Sequence, residues 1–546
     1  MKTCIRLFSY SFLALILLSS CRSRENNHGT SLVFRYNESN GISGLDPAFA
    51  RTQSLIWPVY QIFNGLVEMN DELEIVPSLA RTWEISEDGR RYVFHLRTDV
   101  KFHDHPAFPG QEGRKMVAGD FVYSFNRIRD PDLLSPGRWV FSYVEKEDGF
   151  IALDDSTFQV RLIEAFTPFL GILSMPYCYV VPKEAIEFDS IRFSRYPSGT
   201  GPFKFKFWRE EEKLVLVKNP IYFEKDSTGN NLPYLDAVSI SFIKDKQSEF
   251  MEFLLGNLDY LSGMHPTYKD ELITRSGNIN PAYSNRFRII TRNYLNTEYL
   301  AFLADDSIEQ ARQSPLGDIN LRKAINYGFD RVKMMKYLRN NIGTPALGGF
   351  VPQGIADYRP SRINGYTYDP DTAAYFLNQA GYPGGEGLQE IVLTTTSDYL
   401  DICEFIQFEL RKLGIKLRIE VSTGAAFRNM VLNSNLDFFR ASWIADYPDP
   451  ESYLSLFYSG NFSPAGPNYT HYSDPVYDSL YRLSNKIRNR NERLEVMYIM
   501  DQMIINASVI VPLFYDQVLR IVPLNISGFE SNAMNLPKLK YVRKVN

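Results

Sequence analysis

The spacing of apolar residues switches back and forth between two periods along this chain, and that alternation limits the fold more than any other feature. Arg91-Tyr92-Val93-Phe94-His95-Leu96-Arg97 and Ile415-Lys416-Leu417-Arg418-Ile419-Glu420-Val421 alternate apolar and polar side chains, the period of a half-buried strand. Helical spacing lies between such segments. Leu321, Ala324, Ile325, Gly328, Phe329 and Val332 form one predicted buried stripe, with Arg322, Lys323 and Asn326 on other faces. Asp369-Pro370 predicts a capped helix start before Ala374, Leu377 and Ala380, with Gly381 as its stop. Asp398 to Leu413 reads as a helix that Gly414 ends directly before the strand at Ile415. Alternating helices and strands predict α/β layers.

A chain of 546 residues makes two to four packed units at ~100 to 200 residues each. Fifty-nine Lys and Arg against 64 Asp and Glu leave a net charge of -5, so no basic field exists to hold nucleic acid. No repeat and no later apolar run of about 20 residues is present, which excludes solenoids and helical membrane spans from the body.

The first 20 residues, MKTCIRLFSYSFLALILLSS, have the form of an export signal: Lys2 and Arg6 precede the apolar stretch Phe12 to Leu18. Leu18-Ser19-Ser20-Cys21 resembles a bacterial lipobox, which implies cleavage before Cys21 and lipid on its thiol. Loss of Lys2 and Arg6 would leave 57 basic against 64 acidic residues, a charge of -7. Residues 21 to 30 then read as a polar tether. Cys178 and Cys403 remain in the body, with no CxxC spacing, and their pairing is left open.

A series of short motifs spans the rest: Gly44-Leu45-Asp46-Pro47, Ile62-Phe63-Asn64-Gly65-Leu66-Val67, Val76-Pro77-Ser78-Leu79-Ala80, Phe102-His103-Asp104, Ala118-Gly119-Asp120-Phe121-Val122, Gly199-Thr200-Gly201-Pro202-Phe203, Asn320-Leu321-Arg322-Lys323-Ala324-Ile325 and Trp443-Ile444-Ala445-Asp446-Tyr447-Pro448-Asp449-Pro450. In these residues and their order the chain resembles the family 5 extracytoplasmic solute-binding proteins of peptide/nickel-type ABC importers. The resemblance implies an α/β, type II periplasmic-binding-protein fold of the large three-domain (cluster C) kind. One lobe would comprise about 31–75, 198–290 and 505–546, an extra domain 76–197, and the other lobe 291–504.

It also implies a site. In the peptide-binding branch the Asp of Trp-x-x-Asp pairs with the ligand's α-ammonium, and backbone beside the Trp pairs with the peptide main chain. Asp446 and Trp443 take those positions, with Ser442 and Ile444 supplying backbone and Arg51 and Thr52 as cleft-lining candidates from the opening loop. The expected partners are a short peptide, permease subunits with cytoplasmic ATPases, and a membrane reached through the Cys21 lipid at the cell envelope. No cofactor, no nucleic acid and a monomer are expected. Oligosaccharide or metal-chelate capture, or solute sensing without import, is the alternative. The chain departs from the family pattern after Asp104, where His105 to Gly113 is expected to form an inserted surface loop.

An enzyme is not expected. GxSxG, HExxH and GxxxxGK[ST] are missing, Gly199-Thr200-Gly201 lacks the third glycine of a dinucleotide loop, and the Asp154/Asp155 and Asp446/Asp449 pairs suit turns. His95, His103 and His105 invite a metal, but no ligand spacing supports one. The basic end, Lys538, Lys540, Arg543 and Lys544, reads as solvated.

Overall fold

A computed structural model describes residues 32–263, 265–530 and 532–545. The export signal, Cys21 and the tether therefore lie outside the described residues.

Three main sheets organise the chain. In the first, the strand Val33–Asn37 runs parallel to Ala237–Ser241, followed by Lys213–Lys218 and Phe203–Arg209. The second is antiparallel, in the order Ala80–Ile85, Arg91–Leu96, Thr157–Arg161, Phe150–Asp154. The third has seven strands and holds two long ones side by side, Phe287–Phe302 and Ile510–Pro523, with Phe438–Ile444, Ile391–Thr395 and Leu417–Val421 beyond them. Helices cover it, including Ile319–Tyr327, Leu400–Arg411 and Arg490–Ala507. The alternating pattern of Arg91–Leu96 is met: Tyr92, Phe94 and Leu96 are buried, the residues between them more open.

Each sheet packs its own core. Phe94, Phe121, Phe125 and Phe158 fill the second sheet's interior, and Phe34, Leu214, Val238 and Leu539 the first's. The long strands join cores: Ile290 and Val522 belong to the core of Phe34, whereas Leu300 and Val511 belong to that of Leu321 and Leu410. Between these ends the ladder slips. Asn293 pairs with Gln517 and Thr297 with Tyr515, so Tyr294, Leu295 and Asn296 lie opposite Asp516 alone. A bulge of this kind interrupts pairing and lets a ribbon bend.

Several expectations need correction. The stripe from Leu321 to Val332 is two helices, because the first ends at Gly328 and Asp330 caps a second, Arg331–Leu338; Val332 is exposed. A Cβ on Gly328 would stand 2.5 Å from the Leu410 side chain and 2.9 Å from the Ala324 carbonyl oxygen, so any larger residue there must displace its neighbours. Arg322 and Asn326 are buried as well. Arg322 donates to the carbonyls of Leu316, Gly317, Ala507 and Ser508, and Asn326 to those of Arg322 and Ile510, so both satisfy backbone at helix and strand ends. The loop after Asp104 lies at the surface as expected, with Pro106 and Pro109 to Glu112 exposed, and the buried His105 and Phe108 anchor it, Phe108 in the second sheet's core. The basic end is likewise tied down. Lys540 is 4% exposed between Glu68 and Glu224, Lys544 pairs with Asp259, Lys538 with Asp71, and Arg543 with Tyr234.

The motif glycines serve close approach. A Cβ at Gly199 would lie 2.1 Å from the Ile62 carbonyl oxygen, and one at Gly201 2.5 Å from the Ile62 carbonyl carbon. Around them Thr200 donates to Asn64 Oδ1, Ser198 to the His103 carbonyl, and His103 Nε2 meets the Gly201 carbonyl at 2.9 Å. Three separated motifs thus lock one junction between the first two sheets.

Candidate ligand-binding site

The strand Phe438–Ile444 has one satisfied edge and one largely open edge. Along the first, every residue pairs with Asn296–Phe302. Along the second, only Phe439 pairs, with Thr394. From Arg440 to Ile444 that edge has no strand partner among the described residues, which leaves main-chain groups available to an added strand. A cavity of about 490 Å³ adjoins this stretch, lined by Arg440, Ser442, Trp443, Thr423, Arg428 and Tyr469 among others. Ile444 is 47% exposed.

Asp446 follows directly. Its backbone N–H donates to Ser452 Oγ at 3.0 Å, while its carboxylate receives no hydrogen bond or ion pair from the described residues. The turn-capping role open to this motif falls to Asp449 instead, which accepts from the Glu451 N–H and holds Arg493 at 2.6 and 2.8 Å. Tyr447 points the other way, into the second sheet's core. Glu451 accepts from Tyr447 and Tyr481, which fixes the turn from beneath.

The Asp446 side chain is open to solvent on one side yet stands deep among protein groups. That depth, reinforced by the charge of Glu451, pushes its carboxyl up to about 7. Its charge reaches the hydroxyls of Tyr177, Tyr453 and Tyr469. Tyr177 comes from the segment packed on the second sheet and also senses Arg51. Asp446 and Arg51 are therefore brought around one tyrosine. Arg51 and Thr52 line a separate cavity of about 470 Å³, and Thr52 stands at the start of the helix Gln53–Ile62.

Sequence reasoning missed the polar floor beside the bulge. Arg440 pairs with Glu298, and its guanidinium lies 3.1 Å over the Tyr399 ring. Asn296 Nδ2 donates to Glu298 Oε1 at 2.9 Å and to Asp516 Oδ2 at 3.4 Å. Burial and the nearby Glu298 push Asp516 up to about 6. Only Arg440 carried a signal, three residues before Trp443; the others converge from distant segments.

Other chemistry is tied up structurally. His103 is pushed down to about 4 by burial, His95 faces Glu84 at 3.4 Å, and His105 packs against Tyr196. Cys178 and Cys403 are free, buried in different cores, and burial raises both thiols, so neither is poised as a nucleophile. Asp154 accepts from the N–H and hydroxyl of Ser156 in an exposed turn.

Comparison with known proteins gives this geometry a context. The chain is 26% identical over 543 residues to the periplasmic oligopeptide-binding protein OppA of Salmonella typhimurium, covering 94% of each. It is 26% identical over 456 residues to heme-binding protein A of Haemophilus influenzae, covering 80% of this chain and 78% of the relative. The solved structure of the ABC transporter-associated periplasmic binding protein DppA from Helicobacter pylori in complex with peptide STSA has the same two-lobed clamshell fold. It matches with a TM-score of 0.77 at 24% identity, over 94% of this chain and 98% of that one. The family model "Bacterial extracellular solute-binding proteins, family 5 Middle" matches residues 74–464, well over half of the sequence, and the chain belongs to that family.

Proposed function

We propose that this protein captures short peptides between its lobes and delivers them to the permease of an ABC importer. The observation that carries the reading is the open strand edge Arg440–Ile444 running into the unpaired carboxylate of Asp446. Main-chain pairing along such an edge is indifferent to side chains, and a carboxylate at its end suits the α-ammonium that free peptides share. Ser442, Trp443 and Ile444 supply the edge, while the Tyr177 hydroxyl lies within reach of the charges of both Asp446 and Arg51. Names among the relatives support the ligand class, two of the three cited above being peptide binders.

In this reading residues 1–20 direct export, Cys21 carries the lipid, residues 21–30 span from membrane to body, and the body acts as a monomer without cofactor or catalysis. The lobes comprise about 31–75 with 198–290 and 505–546, and 291–504, with 76–197 as the extra domain. The test is mass spectrometry of small molecules released on denaturing natively purified protein. A mixture of short peptides, absent from Asp446→Asn protein, is expected. A single sugar or metal chelate would discard the ammonium anchor, and empty protein would favour a sensor. The intact mass of membrane-extracted protein checks the lipid: it should equal the chain from Cys21 plus acyl groups.

A further inference from the structure

Two bodies of this molecule hold each other by exchanging plugs. Tyr447, from the turn that follows the third sheet's strand Phe438–Ile444, is 4% exposed and sits in the second sheet's core. Gly171 forms the floor beneath it: a Cβ there would stand 3.4 Å from the Tyr447 Cβ and from its ring, so the ring rests on bare backbone. In return, the turn between the strands Val67–Met69 and Ile75–Pro77 reaches the other way. Its base, Leu66 and Val67, belongs to the second sheet's core, whereas Met69 and Leu73 are buried in the core of Tyr299 and Leu494 on the third sheet. Leu73 has a φ of 65°, a left-handed backbone that a bulky residue keeps only where its surroundings hold it.

The space between the plugs is unlike either core. A cavity of about 580 Å³ runs there, lined by Leu73, Ile75 and Leu170 from one body and Tyr447, Ile355 and Leu494 from the other. Settled interiors have few voids larger than a water molecule. Around the cavity the bodies are joined by scattered polar contacts. The Thr167 N–H and hydroxyl donate to the carbonyls of Asn485 and Ile487 at 2.9 and 3.1 Å, Arg488 donates to that of Glu87 at 2.8 Å, and Lys486 pairs with the exposed Glu164. Contacts of this kind add little net stability, so the two apolar plugs hold the seam.

We propose that the two plugs form a clasp that parts to admit a peptide and shuts behind it. The inference rests on peptide capture as read above, with Asp446 as the anchor. Asp446 directly precedes Tyr447, and the Tyr177 hydroxyl on the second sheet's side lies within reach of its charge, so the anchor stands on the seam that the plugs close. A ligand held there is shut in while Tyr447 and Leu73 are seated, and its release rate is set by how often they lift.

The experiment locks the clasp and then loosens it. Gly171→Cys with Tyr447→Cys sets two Cβ atoms 3.4 Å apart, close to the ~3.8 Å that a disulfide spans. Uptake and release of radiolabelled trialanine are followed by filter retention in one preparation before and after oxidation, with the thiols titrated. Oxidation should slow both rates at least about a hundredfold, and dithiothreitol should restore them. Leu73→Ala, which trims the other plug, should speed release about tenfold without slowing uptake. Leu524→Ala, on the exposed surface, should leave both rates unchanged. Thiols that fail to pair, or an oxidised protein that exchanges trialanine as fast as the reduced one, overturn the clasp while peptide capture stands. If the unaltered chain binds neither trialanine nor a mixed tripeptide pool, capture falls and solution scattering judges the clasp alone: Leu73→Ala should enlarge the radius of gyration and oxidation should reduce that of the cysteine pair, and equal radii overturn it.

Discussion

At the scale of single residues, Asp446 is a solvent-accessible carboxylate hemmed in by protein groups, with no partner among the described residues. An ammonium there regains much of what desolvation costs, so Asp446→Asn should weaken binding of free-amine peptides by about 2 to 5 kcal/mol, roughly 30-fold to several thousand-fold. N-acetylated peptides, measured alongside, should bind weakly to both proteins. The raised carboxyl sets a pH dependence. Below about 7 the free protein carries a proton there that binding must expel, so affinity should fall with decreasing pH, approaching tenfold per unit; above about 7 it should level off. Calorimetry in buffers of different ionisation enthalpy would show the proton released. Without ligand the sign for stability is opposite: the folded state holds this proton more tightly than the unfolded chain, so the contribution of Asp446 to stability declines as pH rises from about 4 to 7. The Trp443-to-Asp446 spacing was readable in the sequence because it is local. Tyr177 was not, because its neighbours are fixed only by how the second sheet packs against the Asp446 turn.

At the scale of elements, period and caps were readable where one face alone meets the core, as in Arg91–Leu96 and the helix Pro370–Gln379, whose Asp369 cap accepts from two N–H groups. They misled where polar side chains serve backbone. Arg322 and Asn326 look like surface residues, yet they close the carbonyls left at the ends of neighbouring elements, a demand set by tertiary arrangement. Lys540 misled for a related reason, since its partners Glu68 and Glu224 are remote in sequence. Lys540→Met should destabilise by about 2 to 4 kcal/mol in urea unfolding, because two half-buried carboxylates lose the buried cation between them. Gly199→Ala should cost about 1 to 3 kcal/mol by forcing the Ile62 carbonyl aside, whereas Gly317→Ala, with open space around it, should be close to neutral.

At the scale of the whole molecule, the two long strands join the cores and their ladder is interrupted by the bulge at Tyr294–Asn296, so bending is expected to concentrate there. A ligand bridging Asp446 and the Arg51 side should favour the closed arrangement. Added peptide should therefore lower the radius of gyration in solution scattering and, at about a hundredfold excess over Kd, stabilise the fold by about 2.7 kcal/mol. Ligand that raises the melting point but leaves the radius unchanged would argue for a cleft already shut. The first sheet's core has another property: Phe34 packs in one cluster with Phe529, Leu539 and Val542, and Lys544 donates to the Val33 carbonyl. Both ends of the described chain close the same core. A chain emerging amino end first, from a ribosome or through a translocation channel, cannot complete that lobe until its last residues are out. The strand Val33–Asn37 meets its partner Ala237–Ser241 before half the chain is made, but the core they share stays open until residues 529–544 emerge, and a nascent chain halted before that point is left with an unsealed lobe for proteases to find.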